Sequence, residues 1–190
     1  MLSRRLFIKS AVAANASMLT APSQAVQLAF NSAQDIPLLV FADDKAVNSK
    51  NFIAHVTNDV SGIELDIGQH FDTLRKFCRE SPNGQVIGLT RASDCFVLEQ
   101  VAKDFGFYVH YSASHSYSGN ILTHEISTSA ASAARIASSL KNAGEYWPRW
   151  LAGNMGVLPR ENAQSITIKN QVVVPDTPGH EFLVSWSLGT

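Results

Sequence analysis

The stretch that decides the fold runs from Gln85 to Tyr111: QVIGLT (85–90), RASDCFVLEQVAKDFG (91–106) and FYVHY (107–111). Its first six residues form a short apolar run set off by the turn residues Pro82, Asn83 and Gly84, which suits a strand buried on both faces. Ser93 stands where a helix N-cap is expected, and Phe96, Val97, Val101 and Phe105 line one face of a helix over Asp94–Phe105. Gly106 supplies the stop, and the β-branched and aromatic run that follows reads as another strand. Strand, helix and strand in so short a span are the form of a crossover unit between parallel strands.

The same alternation extends to both sides. Upstream, Pro37–Ala42 (PLLVFA) reads as a buried strand, and Asp44–Thr57 carries Val47, Phe52, Ile53 and Val56 at helical spacing. Gly62–Gly68 (GIELDIG) alternates as a half-wet strand, and His70–Arg79 shows a helical face of Phe71, Leu74, Phe77 and Cys78. Downstream, Ser129–Leu140 is a helix of small residues stopped at Gly144, and Glu145–Gly156 is aromatic and irregular, with Tyr146, Trp147, Trp150 and Leu151 suited to core packing. Ser165–Val174 and Glu181–Leu188 read as a terminal antiparallel pair joined around Pro175, Pro178 and Gly179. The expected fold is α/β: a single three-layer domain over residues 37–190 with a mainly parallel sheet and a C-terminal antiparallel strand pair. Residues 26–36 form a polar lead-in.

Composition agrees with a packed domain. Of 190 residues, 45% are hydrophobic and 16% charged, which excludes a disordered chain. No run of about 18 apolar residues is available to span a bilayer. The N-terminus carries a different message. Ser3-Arg4-Arg5-Leu6-Phe7-Ile8-Lys9 is followed by an alanine-rich, mildly apolar stretch and by Ser23-Gln24-Ala25, a small-x-small cleavage form. This segment resembles a twin-arginine (Tat) export signal, with Arg4, Arg5, Phe7 and Lys9 at its pattern positions and cleavage expected after Ala25. The resemblance implies recognition by the Tat translocase, export already folded to a bacterial periplasm, and no membrane anchor after cleavage. It also implies a loaded cofactor, an exported protein partner or a fast-folding core. Residues 1–25 hold three basic residues and no acid, so the mature chain has 12 basic against 16 acidic residues, formally −4. With no clustered cations, nucleic acid is not an expected partner.

A parallel sheet places its ligands beyond the carboxyl ends of its strands. That rule selects Asp43 and Asp44 after the first strand, His70 after the second, Thr90, Arg91 and Ser93 after the third, and His110 on the fourth. Asp43, Asp44 and His110 are the catalytic candidates, and Thr90, Arg91, Ser93 and His70 the ligand-binding ones. Helix capping is the structural alternative for Asp43, Asp44 and Ser93. His110, His115 and His124 fall within one short segment, with a hairpin expected near Tyr117-Ser118-Gly119 that would bring His110 opposite His124. Imidazoles so paired are candidate ligands for a divalent metal, although their spacing matches no established motif.

Other chemistry is excluded by what is missing. There is no glycine-rich phosphate loop, so no nucleotide is expected, and no G-x-S-x-G elbow. Cys78 and Cys95 are the only cysteines, on the apolar face or at the start of expected helices, which suits buried free thiols better than a disulfide. The functional expectation is an exported small-ligand-binding or accessory protein. The alternatives are a small metal-assisted hydrolase at the strand ends and the small subunit of an exported redox complex.

Overall fold

The computed structural model describes residues 36–56, 63–64, 67–158, 165–175 and 181–190. The signal resemblance, the cleavage site and nearly all of the lead-in lie outside these residues.

Among the described residues fourteen elements follow one another, two of them single 3-10 turns. They begin with β1 (Leu38–Ala42), α1 (Val47–Ile53), β2 (Ile63–Glu64), α2 (Ile67–Glu80), β3 (Gln85–Thr90) and α3 (Ala92–Lys103). The long hairpin β4 (Tyr108–Ser118) and β5 (Ile121–Ser129) comes next, then α4 (Ala130–Ala143) and α5 (Trp147–Asn154), and finally β6 (Ser165–Val173) and β7 (Phe182–Gly189). The helix after β3 starts at Ala92, so Arg91 and not Ser93 holds the cap position. Of the expected strand over Gly62–Gly68, the described residues show Ile63–Glu64 as strand and Ile67 and Gly68 already in α2. Gly106 and Gly144 take left-handed φ values of +80° and +55° just beyond α3 and α4, which explains glycine at both stops.

The sheet corrects the expected architecture. Its strand order is β2-β1-β3-β7-β4-β5-β6. Only β1–β2 and β1–β3 are parallel; β3–β7, β7–β4, β4–β5 and β5–β6 are all antiparallel. The sheet is therefore mixed and mostly antiparallel, not mainly parallel. Two physical facts produce the difference. Gly119, at φ +57°, forms with Asn120 a two-residue turn, and so short a connection joins only antiparallel strands. The last strand, FLVSWSLG, is then driven between β3 and β4, where it is buried on both faces. The expected terminal pair does not form: β6 pairs with β5 at one edge of the sheet, and β7 lies in its middle.

Helices lie on both sides of the sheet. On one face α1, α4 and α5 pack Phe52, Ile136, Leu140, Trp147 and Leu151 against Ile87, Leu89, Tyr111, Leu122 and Ile126. On the other, α2 and α3 pack Leu74, Cys78, Cys95 and Leu98 against Phe41, Val86, Trp186 and Leu188. This second layer covers the β1–β3–β7 part of the sheet, and α3 reaches as far as β4. Beyond that contact the corresponding face of β4, β5 and β6 carries the partly exposed Ser114, Ser116 and Thr123 and the exposed Glu125 and Lys169.

Candidate functional site

The carboxyl ends of β1 and β3 lie side by side, as a parallel pair requires, and they gather part of the expected cluster. Asp43 follows β1 and is buried; its Oδ2 lies 2.8 Å from Nε of Arg91, which follows β3. The backbone N–H of Lys45 donates to Asp43 Oδ1 at 2.9 Å, closing the turn that leads into α1. Thr90 is fully buried, accepting from Trp186 Nε1 at 3.0 Å and donating to the Arg91 carbonyl. Ser93 and the buried Asp94 stand in the first turn of α3, and burial raises the Asp94 pKa, with a smaller push from Asp43. Asp44 is half-buried beside this group, and His70 is half-buried in the first turn of α2 beyond β2. The polar atoms of Asp43 and Thr90 are thus engaged in holding the strand ends together.

His110 does not join them. Register places Thr90 opposite Val184 and Val184 opposite Ser114, whereas His110 lies at a bulge near the amino end of β4. That is four residues back, about 13 Å along the strand, and three strands, about 14 Å, across from β1. Asp43, Asp44 and His110 cannot act on one substrate atom.

The histidines assemble elsewhere, and with a different pairing. His115, not His110, stands opposite His124 in the β4–β5 ladder, and His124 stands opposite Asn170 of β6. The two Nδ1 atoms are 2.6 Å apart and share a hydrogen. His115 Nε2 lies 2.7 Å from Ser185 Oγ, and Ser185 Oγ lies 3.0 Å from the Tyr111 hydroxyl. Trp147, the first residue of α5, roofs the pair, stacked on His115 at 4.1 Å and edge-on to His124. Its indole N–H donates to the Tyr117 hydroxyl at 3.0 Å; Asn48 of α1 donates to the same hydroxyl at 3.2 Å and also to Glu181. Burial holds His115 well below the ordinary imidazole pKa, with His124 adding to the effect, and burial lowers His124 to about 4. Both rings are therefore neutral at pH 7. Burial likewise raises the Tyr111 and Tyr117 hydroxyls.

Serine, histidine and histidine in line have the connectivity of a nucleophile relay. Ser185 is 0% exposed, in mid-strand beneath Trp147, so no substrate reaches it. No group of three histidine, cysteine or acidic side chains converges on a metal-sized point among the described residues, and His110 stands apart from the other two histidines. The array is a polar layer inside the core. Alternation along YVHYSASHSYS and ILTHEISTS could have placed His115 and His124 on one face had the hairpin register been set at Gly119-Asn120. The contribution of Ser185 and Tyr111 had no local signal at all.

The remaining polar surface with regular geometry is the uncovered face of β4–β5–β6. Ser112, Ser114 and Ser116 alternate along β4 and face Ser127, Glu125 and Thr123 of β5, which face Thr167, Lys169 and Gln171 of β6. Ser127 and Thr167 hydroxyls are 2.9 Å apart, and Gln171 donates to Thr123 at 3.3 Å. Phe182, 52% exposed, flanks the array at the start of β7 opposite Ser116.

Comparison of the chain with protein-family models, curated proteins and solved structures returns no match.

Proposed function

We propose that the protein is a Tat-exported periplasmic binding protein, and that it holds an uncharged, hydroxyl-rich ligand such as a saccharide on the open face of β4–β5–β6. The observation that carries this reading is the array itself. Hydroxyl groups recur about every 7 Å along β4, and on β5 and β6 hydroxyl and amide groups flank Glu125 and Lys169, with rows about 4.8 Å apart between strands. Glu125 and Lys169 oppose one another in the ladder, so the face has no net charge to attract phosphate or a basic polymer. Ser and Thr hydroxyls both donate and accept, which matches ligands that do the same, and the exposed ring of Phe182 offers an apolar plane beside them. Such sites bind modestly, by many hydrogen bonds exchanged against water. The formal −4 of the mature chain further disfavours nucleic acid.

The metal-assisted hydrolase is not favoured, because His110 lies across the sheet from Asp43 and Asp44. Binding is tested by amide chemical shifts of the folded chain titrated with a panel of neutral oligosaccharides. Shifts confined to β4, β5 and β6, lost in Ser114→Asp and Thr123→Asp, support the reading. A silent panel overturns the saccharide assignment. Export is tested separately: Arg4→Lys with Arg5→Lys should hold the precursor in the cytoplasm, and unchanged export would remove the Tat assignment.

A further inference from the structure

We propose that the His115–His124 pair is an acid-operated latch, which holds α5 and the β4–β5 hairpin together while it carries at most one extra proton and parts when it takes up a second. The geometry sets this limit. With the rings neutral, one hydrogen lies between the two Nδ1 atoms at 2.6 Å. If it belongs to His115, Tyr111 donates to Ser185 and Ser185 to His115 Nε2; if it belongs to His124, the chain of donors runs the other way. A first added proton can go to His124 Nε2, which is buried and has no hydrogen-bond partner among the described residues, while His124 Nδ1 donates to His115. A second can be placed only on His115 Nδ1, where it would point at another N–H across 2.6 Å. The doubly charged pair must separate.

Among the described residues, no charged group in hydrogen-bond contact with the pair compensates such charge. β4 brings Tyr111 and Tyr117, β7 brings Ser185, β6 brings Asn170, α1 brings Asn48 and α5 brings Trp147; the nearest carboxylate in the network is Glu181, reached only through Asn48 and Tyr117. Separation breaks the stack under Trp147 and leaves the first turn of α5 tied to the hairpin by the Trp147–Tyr117 hydrogen bond alone.

The sign follows from linkage. Histidines free in the unfolded chain take up protons below about pH 6.5, and the folded pair resists, so folding weakens as the pH falls from 6.5 toward 4. Each excluded proton lowers the folding equilibrium constant by roughly fiftyfold between pH 6.5 and 4.5.

The test is urea unfolding of the full chain at pH 7.5, 6.5, 5.5 and 4.5 and constant ionic strength, beside His124→Gln and the double variant with His115→Gln. Wild type should fall steeply, the single variant less, and the double variant least. Should either variant fail to fold, nitrogen-15 imidazole shifts of the wild type decide: neutral rings at pH 5.5 support the latch. A wild type whose stability is flat from pH 7.5 to 4.5, or rings that titrate near 6.5 in the folded state, would overturn it.

Discussion

Gly88 of β3 and Trp186 of β7 face each other in register, and the indole occupies the place of the missing side chain: a Cβ on Gly88 would lie 2.4 Å from Trp186 Cζ2. The ring is itself tied to Thr90, so it cannot swing aside without losing a buried hydrogen bond. Gly88→Ala is therefore expected to destabilise by about 1–3 kcal/mol, read from the urea midpoint at unchanged slope. Arg91 poses the converse case. Its side chain is 56% exposed, but it neutralises a carboxylate that is nearly fully buried. Arg91→Leu should cost about 1–2 kcal/mol, more than a surface pair is worth and less than a fully buried one, because water reaches the arginine side. A mutant as stable as wild type would show that Asp43 is held by the Lys45 amide alone. At this scale the sequence was legible where neighbours in the chain decide the outcome. Asp43 and Arg91 meet because β1 and β3 are parallel neighbours. Ser93 is not a cap, because the helix begins one residue earlier than its side chain suggests, and Thr90 serves Trp186, which lies far along the chain.

Among the elements, the runs of apolar residues announced themselves and their directions did not. Gln85–Thr90 is the strand expected, residue for residue, and Ser165–Val173 and Phe182–Gly189 are close to it. A strand buried on both faces has the same composition whichever way it runs, so QVIGLT carries no mark of its antiparallel neighbour. The hairpin was hidden for another reason: its serines and histidines look like a loop until the alternation of buried and open positions is laid over them. The helices α2 and α3 offer a direct check of the second core. Burial raises Cys78 to about 11 and, with Glu99 and Asp94 adding to it, Cys95 to about 12. Both thiols are free and should resist iodoacetamide at pH 8 in the folded protein, reacting fully only in denaturant. By linkage the stability they share is complete below about pH 8.5 and declines as the pH rises toward 11. Ready alkylation of the native chain would mean that α2 and α3 do not close over the sheet as described.

For the molecule as a whole, the placement of β7 outweighs any single contact. It pairs along Gln85–Thr90 on one side and along Tyr108–Ser116 on the other, and no other described strand joins those two halves of the sheet. Removing residues 181–190 should abolish cooperative unfolding altogether, leaving at most a fluctuating compact chain by circular dichroism. Two separately melting halves would contradict the shared cores on either face. The arrangement also governs when the molecule can be finished. Residues 181–190 follow every other described strand in the chain, yet they are the keystone of the sheet, so the sheet cannot close before they have left the ribosome. Anything that meets the growing polypeptide earlier than that encounters two groups of strands with nothing yet between them.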